Sequence, residues 1–214
     1  MIQLYGHPFA SFAWKALIAA YTRDVPFHFR MVDPGHPDNS ARIAELSPTG
    51  QFPALVDGER AVTGSNAVIA YLDRIGDAPP LIPAGADAAL EARMLAEVFD
   101  QYVATPTTRI VTKHLRGADE KDPRGVADAR DTLDRTYTWL APRLGGGWAV
   151  DGTFSIADCA AAPALFYADW VHPLPAGALA DYRARLLAHP AVMRVVDEAR
   201  PYRRLFPPGA PHRD

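Results

Sequence analysis

Two kinds of hydrophobic pattern divide the chain, short strand-like runs near the beginning and longer segments with apolar residues every three to four positions after them. Residues 2 to 5 (IQLY) and 27 to 32 (FHFRMV) predict short strands. Between them, FASFAWKALIAAYT sets Trp14, Leu17, Ile18 and Tyr21 at helical spacing, so a βα unit feeds the second strand. NSARIAELS predicts another helix, capped by Asn39 or Ser40, and PALVDGERAV predicts a hairpin turning at Asp57-Gly58. SNAVIAYLDRIG predicts a helix that starts with a Ser65 or Asn66 cap and stops at Gly76. The order β-α-β-α-β-β-α within residues 1–76 joins a parallel βαβ unit to a terminal hairpin, which is the order of a thioredoxin-like α+β domain.

Residues 77–88 are dense in proline, which continues neither a helix nor a central strand, and predict a linker. After it, residues 89–214 predict an all-α domain. Leu95, Val98, Phe99, Tyr102, Pro106 and Ile110 follow one three-to-four spacing, and Leu133, Tyr137, Leu140 and Leu144 repeat it. The proline-rich tail RPYRRLFPPGAPHRD predicts an extended strap over the surface.

The composition is that of a globular chain: 214 residues, 49% hydrophobic and 22% charged. With a net charge of −3 and its 22 basic residues dispersed, the chain offers no basic stripe to phosphates, so nucleic acid is not expected as a partner. No run approaches the ~20 apolar residues of a membrane span, and the N-terminus lacks the pattern of a cleaved leader, so a cytoplasmic location is expected. The single cysteine, Cys159, forms no internal disulfide, and no metal-ligand spacing appears. Its alanine-rich surroundings mark it as a core residue, and Ser155-Ile156-Ala157-Asp158 reads as a structural capping box.

The runs LYGHPFASFAWKALIAAYTRDVPF, SPTGQFPALVDG, TGSNAVIAYLD and FSIAD, together with FDQYVATP and RPYRRLFP, resemble the landmarks of bacterial glutathione transferases, in that family's order. The resemblance implies a homodimer with glutathione as co-substrate and a small hydrophobic electrophile as second substrate. It implies a cis bond before Pro53, which would leave the backbone of Phe52 free to pair with an extended tripeptide, with Gln51 beside it. Ser65 and Asn66, at a helix start, would take a carboxylate of the tripeptide. One position departs from the family: an acidic residue usually precedes the serine and meets the ligand's ammonium group, whereas this chain has Gly64. Asp100, reaching across a dimer interface, is a candidate substitute.

Such an enzyme must hold sulfur as the thiolate, because an unperturbed thiol with pKa near ~8.5 is only a few per cent ionised at neutral pH. Each unit of depression requires about 1.4 kcal/mol of preferential stabilisation of the anion. Ser11, near the start of the first helix, matches the active-site serine of serine-type members and is the first candidate to supply it. Tyr5, at the end of the first strand, is the second, with a packed structural role as its alternative; His7 lies in the same loop. Ala10 and Ala13 leave Ser11 the only hydroxyl there, and the loop has no cysteine, which excludes disulfide-exchange chemistry at this position. Phe9, Phe12, Tyr102 and Arg109 are candidates for the electrophile pocket. Three functions follow: a transferase acting on apolar electrophiles, a glutathione-dependent isomerase or peroxidase, or a binding or regulatory protein that has kept the fold without turnover.

Overall fold

The computed structural model describes residues 1–117, 121–150 and 152–214. Its N-terminal part is a four-stranded sheet in the order β2-β1-β3-β4, formed by β1 (Ile2–Gly6), β2 (Phe27–Met31), β3 (Ala54–Asp57) and β4 (Arg60–Thr63). β1 runs parallel to β2 and antiparallel to β3, which pairs antiparallel with β4. This is the α+β topology expected from the element order. The strand alternation sorts the faces: Ile2, Leu4 and Leu55 join the main core with helices α1 (Ser11–Thr22) and α3 (Ser65–Ile75), whereas Tyr5 and Ala54 point to the other face, where Ile43 of α2 (Pro37–Leu46) covers them.

Three local boundaries differ from the sequence expectation, each for a backbone reason. α2 begins at Pro37 with His36 as its cap, because proline suits the first helical position; Asn39 and Ser40 lie inside the first turns and bond back to carbonyls, Asn39 to Met31 and Ser40 to Asp33 and His36. The hairpin pairs Asp57 with Arg60, so the turn is Gly58-Glu59, with Gly58 at φ 58°. α3 is capped by Gly64, not by Ser65 or Asn66, since the entry bend holds the cap at φ 88°, a conformation that favours glycine.

α4 (Ala86–Val98) starts within the segment expected as linker and is followed by a π-helical stretch, Phe99–Ala104, and α5 (Thr105–Thr112). Pro106 has no N–H to give a preceding carbonyl, and the Thr105 N–H and hydroxyl both turn to the carbonyl of Asp100. The wider turn inserts an extra residue and rotates the helix face. Val103 and Ala104 are therefore buried and Tyr102 is 53% exposed, although the three-to-four spacing places Tyr102 inward. Then come α6 (Pro123–Leu140), α7 (Ile156–Val171), α8 (Ala178–Ala188) and α9 (Pro190–Ala199), which make this part helical as expected.

α7 is the axis of the second part, buried along most of its length and packed against α1, α4, α5 and α8. Its alanine-rich sequence permits close approach on several sides. Asp158 at its start accepts hydrogen bonds from the Ser155 N–H (2.8 Å), the Ser155 hydroxyl (2.9 Å), the Ala149 N–H (3.0 Å) and the Tyr182 hydroxyl (2.6 Å). The capping box is thus also a junction between three segments, although burial still pushes the Asp158 carboxyl above its ordinary value. Cys159, fully buried beside it, has its thiol pushed well up by burial. The tail is not wholly extended: Arg200–Leu205 forms a 3-10 helix before Phe206 inserts into the core.

Candidate active site

A cleft of about 860 Å³ opens between the two parts. One wall is the loop and first turn of α1, with Phe9, Ala10, Ser11 and Phe12; the floor is Gln51, Phe52, Pro53 and the start of α3, with Gly64, Ser65 and Asn66. The opposite wall comes from α5, α7 and the tail, including Thr107, Val111, Tyr167 and Phe206.

The loop that carries Ser11 is pinned from behind. The Ala10 N–H bonds the His7 carbonyl (3.0 Å), the Phe9 N–H bonds His7 Nδ1 (3.1 Å), the Trp14 indole N–H bonds the Pro8 carbonyl (2.6 Å), and the Tyr167 hydroxyl bonds the Phe9 carbonyl (2.9 Å). Trp14 and Tyr167 each bury an aromatic body and use their one polar tip on this loop. Burial pulls the His7 ring below its ordinary pKa against the charge of Asp33, which suits a neutral ring accepting the Phe9 N–H.

Ser11 is the first residue of α1, and α1 makes its first helical bond only from Trp14 to Ala10. The N–H groups of Ser11, Phe12 and Ala13 thus lie at the helix start without helical partners, and its first turn holds no acidic residue. α3 repeats the arrangement: its first bond runs from Val68 to Gly64, and its first turn is also free of acid. Two helix N-termini therefore face one cleft, and a thiolate or carboxylate is the kind of group they favour. The Phe52-Pro53 bond is cis, and among the described residues the Phe52 backbone N–H and C=O have no protein partner. Gln51 is held beside it by the hydrogen bond from its N–H to Ser47 Oγ (3.1 Å).

Ser11, Phe9, Phe12, Gln51, Phe52, Pro53, Ser65 and Asn66 come together in the cleft, while Tyr5, Tyr102 and Arg109 do not line it. Tyr5 is buried under α2 on the far face of the sheet, its hydroxyl bonded to Gln3 Oε1 at 3.0 Å, because strand alternation points it away from α1. Tyr102 is turned to solvent by the π-helical stretch, and Arg109 pairs with Asp122 at 2.9 Å on the surface. Asp100 does not reach outward: it is buried, 2.5 Å from Lys15 Nζ and 3.2 Å from Asn66 Nδ2. The amide oxygen of Asn66 accepts from Lys15 at 2.7 Å, so the Asn66 side chain faces Lys15 and Asp100, and what it offers the cleft is its backbone.

Sequence reading missed Lys15, Thr107, Tyr167 and Phe206. Thr107 Oγ1 is buried without a protein partner among the described residues. Tyr167 packs edge-on against Phe9 (5.4 Å between centroids), and burial pushes its hydroxyl well above its ordinary pKa, which disqualifies it as an ionised base. Phe206 packs against Phe9, Tyr167 and Trp170. Lys15 alone carried a signal, a cation inside the apolar run AWKALIAA. Among the described residues no group of three or more His, Cys, Asp or Glu side chains is placed to hold a metal ion, and no helix is long and apolar enough to cross a membrane.

Residues 4–80 match the model of the glutathione S-transferase N-terminal domain and residues 87–198 that of the glutathione S-transferase C-terminal domain. A probable maleylacetoacetate isomerase of Vibrio cholerae is 28% identical over 212 residues, covering 92% of this chain and 96% of that protein. Glutathione S-transferase 1 of Dianthus caryophyllus is 24% identical, covering 77% of this chain and 76% of its own. Among solved structures, a glutathione S-transferase from Methylobacillus flagellatus with glutathione bound superposes with a TM-score of 0.79 at 20% identity, over 91% of this chain and 98% of that one.

Proposed function

Because the chain belongs to the glutathione S-transferase family, we propose that it is a glutathione-dependent enzyme that holds the thiol of glutathione as its thiolate for attack on a small, uncharged, apolar electrophile. The observation that carries this reading is the convergence of Ser11 at the start of α1, the cis Phe52-Pro53 bond and the start of α3 on one cleft. In this reading the tripeptide pairs with the free backbone groups of Phe52 beside Gln51 and sets a carboxylate at the N–H groups of Ser65 and Asn66. Its sulfur lies at Ser11, where the hydroxyl donates to the thiolate and the first-turn N–H groups of α1 add to the field. The apolar wall of Phe9, Phe12, Val111, Tyr167 and Phe206 takes the electrophile and keeps water from the sulfur. Two chains acting as a homodimer in the cytoplasm fit the same reading.

A glutathione-dependent isomerase is the second reading, favoured by the Vibrio relative that matches 92% of the chain. It shares the thiol site and differs in the second substrate. Among the described residues, those that line the cleft include no cationic side chain, which favours an uncharged second substrate over an acidic one.

The test is turnover of 1-chloro-2,4-dinitrobenzene with glutathione by the native chain and by Ser11→Ala, with glutathione binding measured by calorimetry on both. Loss of one hydrogen-bond donor to a developing anion lowers kcat by roughly 10²–10³-fold, with binding retained. An unchanged kcat in Ser11→Ala would remove Ser11 from the mechanism. Binding without turnover of any electrophile, hydroperoxide or isomerisable substrate would make the chain a binding protein.

A further inference from the structure

Among the described residues of this chain, none that lines the cleft that would hold glutathione is Asp, Glu, Lys, Arg or His. Its electrostatic character comes from two helix N-termini, both positive ends, neither with an acid in its first turn. The acid that Asn66 touches, Asp100, is buried and turned to the Lys15 ammonium, and the Asn66 side chain is held in the same knot. At the entry to α3 stands Gly64, which carries no side chain toward the ligand.

Glutathione brings two carboxylates and one ammonium group on its γ-glutamyl end. The carboxylates find N–H donors and favourable dipoles here. The ammonium finds two positive helix ends and, among the described lining residues of this chain, no carboxylate to give it a charge-assisted hydrogen bond.

Resting on the reading of this cleft as a glutathione site, we propose that it recognises the thiol peptide through its backbone and carboxylates and does not read its ammonium group, so that γ-glutamyl thiols whose α-amine is absent or acylated are accepted as ligands. The substrate class widens from glutathione to anionic, amine-free thiol peptides. The thiolate chemistry is unchanged, because the amine takes no part in bond making at sulfur.

The experiment compares glutathione with N-glutaryl-cysteinylglycine, the same tripeptide without the α-amine, by calorimetric titration into the full chain and by turnover of 1-chloro-2,4-dinitrobenzene. The expected result is that the amine-free thiol binds within about threefold of glutathione or more tightly, with a similar kcat; a charge-assisted hydrogen bond to the ammonium would instead weaken it by roughly tenfold or more. A tenfold loss for the amine-free thiol, with glutathione still bound and turned over, overturns this inference and leaves the transferase reading intact. Absence of binding for both thiols overturns the glutathione reading and this inference with it.

Discussion

Lys15 Nζ lies 2.5 Å from Asp100 Oδ2, a pair 85 positions apart in the chain and buried beneath the cleft. It ties α1 of the first part to the π-helical stretch of the second, with Asn66 of α3 as third member. Burial pulls the Lys15 ammonium below its ordinary pKa, and Asp100 opposes that pull. Lys15→Met leaves the Asp100 carboxylate buried without its cation and is expected to destabilise the fold by about 3–5 kcal/mol. Adding Asp100→Leu to that variant is expected to return part of the loss, as read from urea unfolding midpoints.

Asp169 anchors the tail through Arg213, with the Leu174 N–H at 3.0 Å and Arg183 at 3.6 Å. Burial raises its pKa, but the Arg213 hydrogen bond, the Leu174 N–H and the Arg183 charge outweigh it, and the carboxyl stands below its ordinary value. A carboxyl depressed in the folded state stabilises above the unfolded pKa, and that contribution is lost as pH falls below about 4. Melting temperature is therefore expected to drop over that acid window in the native chain. Asp169→Asn should lose about 2 kcal/mol at neutral pH, the size of a charged hydrogen bond, and show a flatter acid dependence.

Phe206 closes the far wall of the cleft among Phe9, Tyr167 and Trp170. Phe206→Ala is expected to destabilise by about 3 kcal/mol and to raise the KM of an apolar electrophile severalfold. On the proposed reading the thiol peptide binds on the opposite floor, so its KM should stay nearly constant. Steady-state kinetics with each substrate varied separately would reveal the split, and an equal rise in both would place Phe206 outside the electrophile pocket.

Tyr102 and Arg109 give a prediction of the opposite kind. Tyr102 is exposed, and Arg109 is tied to Asp122 at the surface, so Tyr102→Ala and Arg109→Ala should each shift stability by no more than about 1 kcal/mol. Their kcat/KM in the dinitrobenzene assay should match that of the native chain.

The contrast between these residues shows what the sequence could and could not tell. The strands and helices α1 and α3 were legible, because alternation and helical spacing are local signals, whereas the floor built on Pro53 was implied only by the family resemblance. Tyr102 was misplaced because a π turn leaves no mark in the hydrophobic spacing until Pro106 is seen to lack its donor. Asp100 stood as a candidate to reach across a dimer interface because nothing local announces its partner; Lys15 is in another element and another part of the fold. The caps at His36 and Gly64 were missed by one to four residues, since backbone conformation rather than side-chain chemistry sets them. Phe206 was hidden in a proline-rich tail that reads as surface.

The placement of Cys159 bears on how the protein survives its own chemistry. The chain's only thiol is sealed in α7 and held protonated by burial. On the proposed reading, molecules that alkylate thiols pass through the cleft continually, yet the protein presents them no thiol of its own to be consumed. Every thiol that reacts is then one brought in by the ligand, so turnover consumes no cysteine of the catalyst, and a thiol-counting reagent applied to the native mixture reports the co-substrate alone.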